Sequence, residues 1–186
     1  MDQGHDERRG QARIGNVVMS EEIINKVANS GLRTINLEDY YQEGERCFFD
    51  MKNHLFKELI LKEKDFREFV KTHDWSQYQN QYVAIGCTAD AIIPIWAYML
   101  VCNALAPFAT KVIQGDLSQL ESILFEEAIA ELNVHEFEDE RVIIKGCNNK
   151  PVPEHAYICL TKKLSGVAKS IMFGEACSTV PIYKKK

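Results

Sequence analysis

The sequence predicts a single α/β domain in three layers, with a mostly parallel sheet and an N-terminal β-hairpin or antiparallel edge. Three observations predict it. Four short apolar runs, "QYVAIGC", "TKVIQGD", "ERVIIKGC" and "KSIMFGEAC", recur through the second half of the chain. Three segments of helical composition separate them. Such alternation needs crossover connections and therefore a largely parallel sheet. A length of 186 residues fits one domain with a real core, or one domain plus a small appendage.

The elements follow in order. Residues 1–18, "MDQGHDERRGQARIGNVV", are polar and Gly-rich and read as a tag, a mis-assigned start or a disordered extension, which leaves 19–186 as the domain. Glu21 to Asn29 fits a short helix capped by Ser20, with Gly31 just past its end. "LRTINLEDYY" and "ERCFFDM" alternate apolar and polar residues and read as two strands joined by a turn at "QEGE". "HLFKELILKEKDFREFVKTHDW" reads as a helix, with Phe66, Phe69 and Val70 at helical spacing. The strand "QYVAIGC" then leads into the helical "DAIIPIWAYMLVCNALAPFA", and "TKVIQGD" into "LSQLESILFEEAIAEL". "ERVIIKGC" leads into "PEHAYICLTKKLSGVA", and "KSIMFGEAC" closes the series. No internal repeat of a recognised array period and no low-complexity linker is visible.

The composition narrows the function classes. Net charge is −5 and the only dense basic run is Lys184 to Lys186, so no nucleic-acid footprint is expected. The longest apolar run, Ala91 to Leu100, contains Pro94 and falls short of the roughly 18 residues of a membrane span. The N-terminus lacks an apolar signal region, so a cytoplasmic setting is expected, with six thiols and no disulfide framework.

Cys87, Cys147 and Cys177 each follow a glycine at the end of an apolar strand, while the fourth strand ends in Gly115 and Asp116. In one open parallel sheet all carboxyl ends share an edge, and ligands bind in the crevice outside it. The three thiols, with Asp90 or Glu175, are therefore the candidate metal ligands. Thiolates suit zinc, iron or an iron–sulfur cluster. Alternatively Cys87 or Cys147, each before a helix, serves as a nucleophile or sulfur carrier with a lowered pKa. Cys47, Cys102 and Cys159 sit in apolar patterns and read as core, and His155 reads as a surface residue. No C-x-x-C, P-loop, G-x-G-x-x-G, G-x-S-x-G or H-E-x-x-H motif occurs.

The segments "DFREFVKTHDWSQYQ", "ADAIIPIWAYML", "KGCNNKPVPEHAY" and "AKSIMFGEACSTVPIYKKK" together resemble a bacterial family catalogued as a domain of unknown function, number 2480. The resemblance covers essentially everything from Glu21 onward. It implies a small cytoplasmic bacterial protein without an assigned activity, from a family whose genes tend to lie near those for iron–sulfur cluster assembly. "GCNNKPVPEHAY…AKSIMFGEACS" is also similar in rhythm to the cluster-binding subunits of nickel–iron hydrogenases and respiratory complex I. There a glycine-flanked cysteine after a strand holds a cluster, and Cys177 matches that position; their paired upstream cysteines have no counterpart here.

The expected function is thus binding of a soft metal or iron–sulfur species at the C-terminal edge of the sheet, as an accessory to cluster assembly. Whether the chain is an enzyme stays open. The rival readings are a thiol enzyme or sulfur carrier, and a metal-free module docking a protein partner through an exposed Trp75, Tyr78 and Tyr82 region.

Overall fold

The computed structural model describes residues 31–146 and 149–186. The expected helix at Glu21 to Asn29 and the reading of residues 1–18 lie outside them. Among the described residues, seven strands and four helices form an α/β fold, and the strands are divided between two sheets. One is wholly parallel, in the order β2 (Arg46–Asp50), β3 (Tyr82–Gly86) and β4 (Lys111–Gln114). The other runs β1 (Leu32–Asn36), β5 (Arg141–Lys145), β6 (Ser170–Glu175) and β7 (Ser178–Lys184), with only the last pair antiparallel.

The helices follow from these crossovers. The helices α1 (Glu63–Thr72) and α2 (Ile95–Leu105) cover one face of the first sheet, where Phe66, Ala97, Val101 and Leu105 meet Phe49, Val83 and Ile85. Helix α3 (Leu117–Ala130) is shared between the sheets. Its Leu120 and Leu124 pack on Tyr82, Ala84 and Ile113 of the first, and its Phe125 and Ile129 on Ile35, Val142 and Ile144 of the second. Helix α4 (Glu154–Leu164) joins that second core through Ala156, Leu160 and Leu164. Because α3 is sandwiched in this way, the expected single sheet in three layers becomes two sheets with a common helix between them.

The expected N-terminal hairpin does not form. Strands β1 and β2 each pair in parallel at the edge of a different sheet. After β1 the chain makes a 3-10 turn at Leu37–Tyr40, and the Gln42 side chain donates to the Leu124 carbonyl at 3.1 Å. The connection thus passes along α3 from one core to the other. The antiparallel edge lies at the other terminus, where β7 pairs with β6; Pro181 is tolerated because β7 is an edge strand. The long helix expected from His54 starts only at Glu63, since Lys57 and Glu58 adopt left-handed backbone in a tight turn closed by Phe56 and Ile60.

The two sheets belong to two copies of one unit. The 3-10 turns Trp75–Tyr78 and Val134–Phe137, strands β3 and β5, helices α2 and α4, and strands β4 and β6 begin 59 positions apart in every case. Two pairs of residues with left-handed or positive-φ backbone repeat at the same interval, Asn80 with Asp139 and Gly115 with Gly174. Strands β1 and β2, each followed directly by a 3-10 turn capped by Asn36 or Asp50, complete the two units. The copy from β2 to β4 is nested inside the other, between the turn after β1 and helix α3.

Candidate functional site

At the 59-position interval Gly115 matches Gly174, while Gly86 falls opposite Lys145 and Gly146 opposite Cys87; the division into two sheets separates the residues expected to share a crevice. Cys87 follows β3 in the first sheet, half-buried against the α1–α2 core, with its Sγ donating to the Ala89 carbonyl at 3.6 Å. Asp90 is exposed in the next loop. Cys177 is exposed in the two-residue turn between β6 and β7 of the other sheet. Glu175, at the end of β6, lies 3.6 Å from the Lys145 ammonium. Cys147 lies outside the described residues. Cys87 and Cys177 therefore sit at the strand ends of different sheets, and the common edge assumed for them is absent. Asp116 caps α3 instead of facing a crevice: its carboxylate accepts from the Gln119 amide at 2.8 Å, and the Gln119 side chain answers to the Asp116 amide at 2.9 Å. Gly115 keeps the room for that return, since a Cβ at φ +145 would strike the Gln119 side chain.

Two further expectations change. Cys102 is exposed rather than core, because α2 is apolar on its outer as well as its inner face. Trp75 and Tyr82 are buried rather than exposed; the Trp75 indole donates to the Val70 carbonyl at 2.8 Å. They therefore offer no docking surface. Cys47 is half-buried against the first core, where burial and then Glu45 push its thiol pKa up.

Among the described residues, one group of side chains is placed to hold a metal ion: Glu126, His155 and Cys159. It is built from two packed helices. His155 and Cys159 stand four residues apart on α4 and so share a face, while Glu126 projects from α3 opposite them. The buried stripe Ala156, Leu160 and Leu164 fixes the rotation of α4 that turns these two side chains toward α3. Lys163 ties the helices at one end by donating to the Ile129 carbonyl at 2.8 Å and to the Ala130 carbonyl.

The three ligand atoms lie within 4.8 Å of one another. His155 Nε2 stands 3.2 Å from Glu126 Oε2 and 3.2 Å from Cys159 Sγ. One neutral ring nitrogen cannot serve both neighbours. If it carries the proton, it donates to the carboxylate and leaves the thiol hydrogen without an acceptor there. If it does not, it accepts from the thiol and turns its lone pair toward the carboxylate. Burial, and after it the Glu126 charge, raises the Cys159 pKa, with Lys162 opposing. A pocket of roughly 350 Å³ lined by Glu126, Cys159 and Lys162 opens beside the group.

Sequence reasoning placed Cys159 in the core and His155 on the surface. The signal available was the His-x-x-x-Cys spacing in "HAYIC", which puts both on one helix face. Glu126 carried none, because its approach depends on how α3 packs on α4. The other unit closes the same seam differently. Its equivalents are Arg67, Trp96 and Leu100, with the Arg67 guanidinium 5.5 Å from the centre of the Trp96 ring.

A profile of the family described as "Protein of unknown function (DUF2480)" matches residues 21–185, and the chain belongs to that family. No curated protein and no solved structure matches the chain. Among the described residues, no helix is long and apolar enough to cross a membrane.

Proposed function

We propose that this DUF2480 protein binds a borderline divalent metal ion, zinc in the first instance, between α3 and α4 through Glu126, His155 and Cys159. The observation that carries the reading is the convergence of three donor atoms of three kinds, with one ring nitrogen facing two of them at 3.2 Å. Tetrahedral zinc takes nitrogen and carboxylate oxygen at about 2.0–2.2 Å and thiolate at about 2.3 Å, which puts neighbouring ligand atoms about 3.3–3.6 Å apart. The two spacings from the ring nitrogen need only small adjustments to reach that. A cation among the three satisfies the carboxylate, the ring lone pair and the thiolate together.

Imidazole, carboxylate and thiolate together suit zinc and its neighbours better than magnesium or calcium. A single thiolate is too few for an iron–sulfur cluster, which is held by four protein ligands, so the reading narrows to a mononuclear ion. Three protein ligands leave a fourth position for water or a partner's ligand. With Glu126 and His155 exposed, the ion is within reach of exchange. The Arg67–Trp96 contact at the same seam supports this reading from another side. It shows that the packing of the helices does not itself require these donors.

Cobalt(II) titration of metal-free protein under argon tests the proposal. The expected result is one equivalent bound, with a thiolate-to-cobalt absorption band and tetrahedral d–d intensity, displaced by zinc. Cys159→Ser, His155→Ala and Glu126→Gln should each weaken binding by at least about tenfold, while Cys87→Ser and Cys177→Ser leave it intact. No cobalt band, or a band lost in Cys87→Ser or Cys177→Ser and kept in Cys159→Ser, would overturn the site.

A further inference from the structure

The two units carry the same groove in the same place, and they treat it differently. In the second unit it lies between α4 and the β6–β7 hairpin, holds roughly 700 Å³, and is lined by Ile144, Tyr157, Ile158, Phe173 and Ile182 among others. In the first it lies between α2 and β4, holds roughly 540 Å³, and is lined by Ile85, Tyr98, Met99, Cys102 and Ile113 among others. Ile85, Tyr98 and Met99 are the positional equivalents of Ile144, Tyr157 and Ile158. Strand β7 supplies Ile182 to the second groove and pairs with the outer edge of β6. Strand β4, the equivalent of β6, ends its sheet with that edge unpaired among the described residues.

The outer faces of the two helices differ to match. On α4 the outward positions Glu154, Ile158, Thr161 and Lys162 are mostly polar. Their equivalents on α2 are Ile95, Met99, Cys102 and Asn103, and α2 carries no charged residue anywhere along its length. A helix apolar all round is normally covered on every side. An open β-edge is normally blunted by charge, proline or a covering element. The unit whose edge is covered by its own chain has the polar helix face, and the unit whose edge is open has the apolar one.

We propose that β4 and the outer face of α2 form the interface of a two-fold symmetric dimer, the occupant being a second copy of this chain. Strands pair about 4.8 Å apart. Antiparallel pairing of two β4 edges across a two-fold axis therefore sets both α2 helices on the same side of a continuous six-stranded sheet. They lie roughly 10 Å apart, the distance at which helices pack. The helices then run antiparallel and the stripe Ile95, Met99, Cys102, Ala106 is self-complementary. Ile95 meets the partner's Ala106 and Met99 meets the partner's Cys102, large against small. Charge favours this occupant as well: each copy carries −5, yet the stripe places no like charges together. Ile95 and Met99, exposed at 77% and 66%, leave on the order of 300 Å² per copy, a third or more of the roughly 800 Å² per partner of a specific interface. The paired edges and the closed grooves supply the rest, as isologous dimers require.

Sedimentation of the full chain at roughly 50 μM, above a dissociation constant in the low micromolar range, should give twice the 21.3 kDa chain mass. Met99→Glu and Ile95→Lys should give monomers with unchanged circular dichroism, since both side chains already face solvent in the single chain. Ile158→Glu, the equivalent change on α4, should leave the dimer intact. A short bismaleimide should join Cys102 to the partner's Cys102 in the unmodified protein and not in Cys102→Ser. A monomeric wild-type chain, a dimer that survives both α2 variants, or equal dissociation by Ile158→Glu would overturn the proposal.

Discussion

Removing Arg46 should cost more stability than removing any other charged side chain in the described residues, because it ties the nested unit to the helix that both units share. Arg46 opens β2, and its Nε donates to Glu121 Oε1 at 2.5 Å while Nη2 donates to Oε2 at 3.3 Å. A third bond runs from Nη1 to the Gly44 carbonyl at 2.6 Å. The guanidinium lies 4.3 Å from the centre of the Tyr41 ring and 5.0 Å from that of Tyr82. The pair is 12% and 16% exposed, so it sits between a surface and a buried ion pair.

Breaking a buried pair by removing one partner costs about 3–5 kcal/mol, and the stacked rings add about 0.5–2 kcal/mol of cation–π attraction. Residual solvation of Glu121 argues for the lower end, so Arg46→Ala should cost about 3–4 kcal/mol. In a chain of this length about 2–4 °C accompanies each kcal/mol, and the melting temperature should fall by about 10 °C. Urea unfolding of Arg46→Ala, Glu121→Gln and the double variant gives the coupling, expected near 2 kcal/mol. Arg46→Met with Glu121→Leu should recover most of the loss, since the cost lies in the stranded carboxylate. A single-variant loss below about 1 kcal/mol, or additive losses, would refute the account.

Two other perturbations follow from single groups. His54 is stacked among Phe49, Phe66 and Phe69, and burial, then the nearby His73, lowers its pKa while Asp50 opposes. The unfolded chain therefore takes up the His54 proton first, and stability should fall as pH drops through the ordinary histidine value of about 6.5. His54→Phe should flatten the melting temperature between pH 7 and 5.5; an unchanged slope would remove His54 as its source. Among the thiols, Cys177 should react with iodoacetamide at least about tenfold faster than Cys47. Cys102 labelling should slow as protein concentration rises and the α2 face is covered, and Cys47 reacting first would contradict the burial described.

The strands β3 to β6 and the helices between them were legible because each is a short apolar run closed by glycine or by a helix cap, which is local information. Which sheet a strand joins is not local. "LRTIN" and "RCFFD" look like a hairpin because both alternate and a turn lies between them. Only the cores waiting for Leu37 and for Met51 decide that they part. Strand β7 carries Pro181, a residue that reads as a breaker unless the strand is known to lie at an edge. The exposure of Cys102 was hidden for a different reason: a helix apolar all round has no periodicity to say which side faces out. Every fully local guess about it defaults to core.

The repeat was hidden because its identities are few, and their placement explains why it persists. At the 59-position interval the identical pairs include Leu61 and Leu120, Phe66 and Phe125, Glu68 and Glu127, Val83 and Val142, Ile85 and Ile144, Pro94 and Pro153, Ala97 and Ala156, Tyr98 and Tyr157, Leu105 and Leu164, Ala109 and Ala168, and Gly115 and Gly174. Most are buried side chains, and Pro94, Pro153, Gly115 and Gly174 start helices or end strands. These positions are set by packing and backbone geometry, which two copies of one unit must both satisfy. The positions where the copies part company are under no such demand, and they include both surfaces singled out above. Arg67, Trp96 and Leu100 stand where Glu126, His155 and Cys159 stand, and Ile95, Cys102 and Asn103 where Glu154, Thr161 and Lys162 stand. A helix seam that closes equally well with a cation over an indole has no structural need of three metal donors. An outward helix face that can be polar has no structural need to be apolar. The difference between the copies therefore locates what the fold does not require, and the proposed metal site and the proposed dimer face both lie at such positions.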